Sequence, residues 1–442
     1  MKNDMKKIAA ISLGCDKNRI DTENMLYLLK NQGFELTQDA EKADYILINT
    51  CGFIEAAKKE SIDAILEMGE LRKQGKKLVV TGCLVQRYAK DLFENMPEAD
   101  LLIGINSQNQ IADLVKSLRD ERELKIDNTP KEYVSGRVVT TPYHYAYLRI
   151  ADGCDNFCSY CAIPLIRGRY RSVSIESLIA EAKALIDEGV KEIILIAQDT
   201  TRYGKDIYGK PSLKELLREL LKLDVWKIRI LYAYPELVDK ELVDMISKEE
   251  KIAKYIDIPL QHIDDQMLKR MNRRTTEREI LNLLNMIKDI DKDIAIRTTF
   301  IVGFNQEDKK KYEKLKSFIE NNDYIDYAGF FGYSIEEGTK ASKFVEGNVD
   351  SKEIEKRVGE LERIWSQKIV ENNKRYIGQT IEVIYEGIDY DKQMFWGRSE
   401  YQAPQIDTKV LFTAKRPLDV GDIYKVKITH SDFNLYGEET GE

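Results

Sequence analysis

Three of the chain's six cysteines fall within GCDNFCSYCAIP, residues 153–164. Cys154, Cys158 and Cys161 are spaced C-x3-C-x2-C. Bridging such close neighbours would strain disulfide geometry. A structural zinc site takes four ligands, and no fourth Cys or His lies in this stretch. An iron–sulfur cluster usually takes four thiolates. With three, one iron keeps an open position for a small molecule, which turns an electron-transfer cluster toward catalysis.

Cys15, Cys51 and Cys83 are far apart in sequence, yet each ends an apolar run: KIAAISLG, ADYILINT and KLVVTG. If these runs are strands of one parallel sheet, the three thiols lie on one edge, where open α/β folds place ligands. A second three-ligand cluster then uses every remaining cysteine. Three unrelated buried cysteines are the alternative.

The elements that must position these residues can be read from hydrophobic patterning. Residues 1–120 alternate near-continuous apolar runs with helical periods ended by glycine, as expected of an open parallel α/β sheet. Residues 121–143 are polar, with Thr129-Pro130 and Thr141-Pro142, and suit a linker with a small hairpin. Residues 144–350 carry six β/α units, whose strands read YAYLRIADG, EIILIAQDT, KIRILYAYP, YIDIPLQH, AIRTTFIVGF and YAGFFGYS. Six units make a parallel sheet bent toward a barrel, short of the eight that close one. The Cys154 triplet follows the first of these strands, at the edge where barrel active sites form. A helix capped by Ser174 and stopped by Gly189 follows the triplet. Residues 351–375 form an amphipathic helix with Ile354, Val358, Leu361 and Trp365 on one side. From 376 to 442, short β runs separated by turns predict a small antiparallel barrel.

With 33% charged residues and a net charge of −8, the chain is a poor general magnet for nucleic acid or anionic lipid. No apolar run approaches the roughly 18 residues of a membrane span. The opening MKNDMKKIAAISLGC imitates a signal peptide, but IAAISL is shorter than the roughly 7–15 residues of a signal core. It is read as a buried strand, and the protein as cytosolic, where thiols stay reduced.

The triplet resembles that of the radical S-adenosylmethionine (SAM) superfamily. The resemblance implies a 4Fe–4S cluster whose open iron is chelated by SAM, and one-electron cleavage of SAM to a 5′-deoxyadenosyl radical. SLGCDKNRIDTE, INTCGFI, TGCL, GCDNFCSYCAIP, RGRYRS and DIPLQH together resemble the methylthiotransferase family over essentially the whole chain. That family has a three-cysteine N-terminal domain, a radical SAM partial barrel and a C-terminal TRAM barrel. AQDTTRYGKDIYG, RTTFIVGF, YSIEEGTKAS and GRSEYQAP are similar to the branch that modifies a ribosomal protein, whereas the tRNA branch typically has a GQNVN-type stretch in place of AQDTT. The resemblance implies attachment of a methylthio group to the β-carbon of an aspartate in the twelfth small-subunit ribosomal protein. It further implies two 4Fe–4S clusters, two SAM molecules and an external low-potential electron donor. Cluster ligands would be Cys15, Cys51 and Cys83, and Cys154, Cys158 and Cys161. SAM contacts would come from Tyr160, Gln198, Asp199, Gln261 and Arg297. The family commonly continues VGF with PGET, where this chain has NQED at 305–308. His262 is not read as a metal ligand, and Arg167, Arg169 and Arg171 are read as structural or substrate-facing.

Charge bears on the substrate. Residues 376–442 hold 12 Asp and Glu against 7 Lys and Arg, a net of −5. An RNA-binding barrel should offer cations to phosphates, whereas an acidic one suits a basic ribosomal protein. A tRNA adenosine methylthiotransferase and a non-enzymatic iron–sulfur or zinc protein are the competing readings.

Overall fold

The computed structural model describes residues 5–441. Its first sheet is wholly parallel, in the order β2-β1-β3-β4-β5-β6. The strands are β1 (Lys7–Ser12), β2 (Glu35–Thr37), β3 (Tyr45–Thr50), β4 (Lys77–Gly82), β5 (Leu101–Ile103) and β6 (Glu123–Lys125). Alternate residues serve opposite faces. Ile46, Ile48, Leu78 and Val80 join one core cluster, while Ile8, Leu47, Val79 and Leu101 join another. Burial on both faces explains the unbroken apolar runs.

Two strands were not expected. β2 and β6 are three-residue edges reading ELT and ELK, half-exposed and therefore charged rather than apolar. β6 extends the first sheet into the stretch read as linker. The hairpin expected there is absent, since no strand follows in residues 126–144. A two-stranded ribbon, β8 (Ala151–Asp152) with β9 (Arg171–Ser172), instead frames the cysteine triplet.

The central sheet is also parallel, in the order β14-β13-β12-β11-β10-β7. It comprises β7 (Tyr145–Arg149), β10 (Glu192–Ile196), β11 (Lys227–Ile230), β12 (Ile252–Asp257), β13 (Ala295–Val302) and β14 (Tyr327–Gly332). All six expected strands are present, in sequence order. Along β13, Ile296, Thr298, Phe300 and Val302 are fully buried while Arg297, Thr299 and Ile301 are partly open, so the second set faces the partly open interior. Ser174 caps its helix by accepting from the Ser177 N–H. The helix Ser351–Asn373 buries Leu361, Ile364, Trp365 and Ile369 and packs along β14.

The C-terminal unit is a closed barrel of β15 (Thr380–Asp389), β16 (Met394–Arg398), β17 (Val410–Thr413), β18 (Ile423–Ser431) and β19 (Leu435–Glu439). Four of its pairings are antiparallel, but β17 and β19 run parallel. The long connection through β18 brings the last strand back in that direction, a relation the turn signals do not encode. This barrel docks on the N-terminal ends of the central strands. Glu192 at the start of β10 is fully buried between Arg229 of β11 at 2.7 Å and Arg398 of β16 at 2.8 Å. The N-terminal unit covers the opposite, C-terminal edge.

Candidate active site between two cysteine triplets

Cys51 and Cys83 directly follow β3 and β4, and Cys15 lies three residues past the end of β1, so parallel pairing delivers all three to one edge. Gly14 makes the approach possible: it has φ +85°, and a Cβ there would lie 2.7 Å from Cys51 Cβ. Burial pushes the Cys83 thiol up to about 12, and charge on Cys15 and Cys51 acts in the same direction. Burial likewise raises Cys51.

The second triplet occupies the loop after β7 and β8. The Cys154 N–H donates to Gly168 O at 3.1 Å, the Ser159 N–H to Met271 O at 2.9 Å, and Ala341 N–H to Ser159 O at 2.7 Å. Burial pushes Cys154 up to about 12, with charge on Cys158 adding to it, and raises Cys161 further still. Arg273 Nη1 lies 3.9 Å from Cys158 Sγ, with its guanidinium over the Tyr234 ring.

The two cysteine-bearing segments meet. Cys83 packs in one apolar cluster with Ile105, Ala162 and Ile166, the last two just beyond Cys161. A cavity of about 610 Å³ opens beside them. Its walls include Phe53, Ile54 and Ala56 from the segment after Cys51, Tyr160 from the second triplet, and Gln261, Thr299, Ile301, Phe330 and Phe331 from the central sheet. None of its lining residues comes from the C-terminal barrel.

The expected SAM contacts separate into groups. Tyr160 and Gln261 line the cavity, and Gln261 has φ +71°. Gln198 donates to Asp152 at 3.3 Å, while its buried Oε1 has no partner. Asp199 is fully buried and already accepts from Asn156 at 2.8 Å, Thr201 at 2.7 Å and Arg202 at 3.2 Å. It braces the cysteine loop through Asn156. Arg297 pairs with Asp257 at 3.1 Å and approaches Asp407 of the C-terminal unit at 3.5 Å. Gln198, Asp199 and Arg297 are not among the residues lining the cavity.

The three arginines differ. Arg167 is buried and joins Asp21 at 2.9 Å and Asp152 at 3.1 Å. Arg169 is exposed and pairs with Asp155 at 2.7 Å, and Arg171 lies 3.6 Å from Asp152. His262 is buried and accepts from the Asp264 N–H at 2.9 Å. The NQED segment ties its loop to the helix beyond: Asn305 accepts from Arg270 at 2.8 Å, Glu307 pairs with Arg357 at 3.0 Å, and Asp308 caps Lys309–Asn321.

Sequence reading missed Glu336, which pairs with Arg87 at 2.7 Å and Lys58 at 3.3 Å of the N-terminal unit. It missed Arg273 too. Arg273 lies in a charged stretch with no period or spacing to single it out, while Glu336 sits inside the quoted YSIEEGTKAS stretch, which does not show its individual role. Asn18 and Asp21 sit inside the recognised DKNRIDTE stretch, whose individual roles the spacing does not show.

The donor sets can be tested against metal. Among the described residues, no three Cys, His, Asp or Glu side chains close around a position for one ion. Buried thiols also stay protonated unless positive charge is supplied, as a metal does. The residues fit an iron–sulfur cluster.

Three sequence families match in order: uncharacterized protein family UPF0004 over residues 7–104, the radical SAM superfamily over 148–319 and the TRAM domain over 377–439. The structure of the radical SAM methyltransferase TsrM from Kitasatospora setae is similar in fold, with TM-score 0.57 and 12% identity, covering 76% of this chain and 77% of that one. Fold and triplet together define a radical SAM protein with an added N-terminal cysteine unit and a TRAM barrel. The curated ribosomal protein uS12 methylthiotransferase RimO of Clostridium botulinum (strain Hall) is 46% identical over 98% of this chain and 97% of its own. That of Thermoanaerobacter sp. (strain X514) is 44% identical over 98% of this chain and all of its own, 100%. The chain belongs to the RimO family of ribosomal protein uS12 methylthiotransferases.

Proposed function

We propose that this chain attaches a methylthio group to the β-carbon of an aspartate in ribosomal protein uS12, using two 4Fe–4S clusters and SAM. The observation that carries the reading is the meeting of the two cysteine-bearing segments, Cys83 against Ala162 and Ile166, beside a cavity walled by Phe53 and Tyr160. Cys154, Cys158 and Cys161 would hold one cluster and Cys15, Cys51 and Cys83 the other, three thiolates to each. When bound, these groups supply the hydrogen abstraction and the sulfur that an unactivated C–H bond requires.

The chain binds, orients and excludes water. Ile54, Ile301, Phe330 and Phe331 give the cavity an apolar wall that keeps water from reactive species. Tyr160 offers a ring to adenine and Gln261 a polar edge. The unpartnered Oε1 of Gln198 is an acceptor for the SAM amino group. An external low-potential donor supplies electrons. The substrate places the reaction in the cytoplasm, and no helix among the described residues is long and apolar enough to cross a membrane.

The test is anaerobic reconstitution with iron and sulfide, then SAM, a reductant and either uS12 or tRNA. Mass spectrometry should show one methylthio gain on a uS12 peptide. The same gain on tRNA, or none on uS12 from cluster-loaded protein, overturns the assignment. Cys158→Ala should abolish deoxyadenosine formation. Cys51→Ala should abolish sulfur transfer but retain SAM cleavage; equal loss of both activities in that variant argues against two cluster roles.

A further inference from the structure

Arg167 follows Cys161 by six residues, yet its guanidinium ends in the other triplet. Nη2 lies 3.8 Å from Cys83 Sγ, 3.1 Å from Asn18 Oδ1 and 2.9 Å from Asp21. Its side chain is 1% exposed. Among the described residues, the other hydrogen-bond partner of the Cys83 sulfur is Asn18 Oδ1 at 3.7 Å. That amide cannot turn to donate, because its Nδ2 already donates to Leu13 O and Thr50 O, each at 2.9 Å. A thiol can donate to Asn18, but a metal-bound thiolate has no proton to give. Once Cys83 is a ligand, Arg167 is the side chain left to donate to it. Hydrogen bonds and positive charge at cluster sulfurs stabilise the reduced, more negative state and raise the potential.

We propose that Arg167 is a positioning residue by which the radical SAM unit sets the potential of the N-terminal cluster, donating across the unit boundary to the Cys83 sulfur. The proposal rests on the two-cluster reading above. Its counter-charges are Asp21 at 2.9 Å from Nη2 and Asp152 at 3.1 Å from Nη1, which partly neutralise the guanidinium; of the two, Asp152 lies on the radical SAM side. Arg167 and Asp152 therefore predict shifts of opposite sign.

The experiment uses the full-length chain carrying Cys154→Ala, Cys158→Ala and Cys161→Ala, so that only the first triplet loads. After anaerobic reconstitution, iron and sulfide are counted and the cluster is titrated by EPR-monitored potentiometry. In this background Arg167→Gln should move the midpoint to more negative potential. Asp152→Asn should move it to more positive potential. Arg167→Lys, which keeps the charge, should return most of the first shift. In the complementary background lacking Cys15, Cys51 and Cys83, Arg167→Gln should leave the radical SAM cluster's midpoint where it was. An unchanged midpoint in cluster-loaded Arg167→Gln overturns the proposal, as does an equal shift in both backgrounds. If Arg167→Gln loads no cluster, Asp152→Asn decides: a positive shift supports the proposal and none overturns it. If the starting protein with the first triplet intact assembles no cluster, the two-cluster reading itself has failed.

Discussion

Gly14 and Cys51 show how little room the first triplet has. An alanine at Gly14 would force L-residue backbone to φ +85°, about 1–2 kcal/mol of strain, and set a methyl 2.9 Å from Cys51 Sγ. Gly14→Ala should therefore lose iron at the first triplet alone. Its iron content should fall toward that of Cys51→Ala while deoxyadenosine formation persists, and full iron content would show that the loop yields. Gln198 makes a second residue-scale case. Gln198→Leu removes a buried acceptor that no protein group uses along with a 3.3 Å donation to Asp152, so thermal stability should change little while the KM for SAM increases. An unchanged KM would remove Gln198 from the SAM site.

At the scale of elements, one ion network pins the helix Asp16–Asn31 to the ribbon β8/β9 and to β7. Asp21 meets Lys131 at 2.7 Å, Arg149 at 2.6 Å and Arg167 at 2.9 Å. Burial pushes the Asp152 carboxyl up, but Arg167 and then Arg149 outweigh it and hold the group at about 2. A depressed carboxyl stabilises the fold fully above its unfolded value near 3.9, and that stabilisation is lost as pH falls through about 2. Asp152→Asn should thus be less stable by about 2 kcal/mol at neutral pH, with the difference closing between about pH 4 and pH 2. Urea unfolding at several pH values measures it, and a difference that persists to pH 2 contradicts the ionised pair. Gly153 closes the same ribbon at φ +78°, where a Cβ would lie 2.1 Å from Arg169 O.

At the scale of the whole molecule, the two end units serve opposite edges of the central sheet. Glu336 latches the N-terminal unit over the cavity through Arg87 and Lys58. Glu336→Ala leaves both cations without their shared partner, costing on the order of 3 kcal/mol of docking. Misplacing one triplet against the other should cut methylthio transfer by roughly 10²-fold while SAM cleavage continues; parallel loss of both would show that the latch supports only folding. The acidic C-terminal barrel lies at the far edge and does not line the cavity. The sequence by itself determined which residues could carry the chemistry and which strands deliver them. Apolar period, strand length and the position of a cysteine at a strand end are local, and parallel pairing turns them into one shared edge. It also determined the three-unit order, through motifs that are contiguous. Tertiary structure alone decided that Asp199 is consumed by Asn156, Thr201 and Arg202, that Arg297 turns to Asp257 and Asp407, and that β17 and β19 run parallel. It alone brought Arg167 to Cys83 and to Asn18, 149 residues away. A side chain's partner across a unit boundary depends on how remote segments pack, and no periodicity along the chain records that.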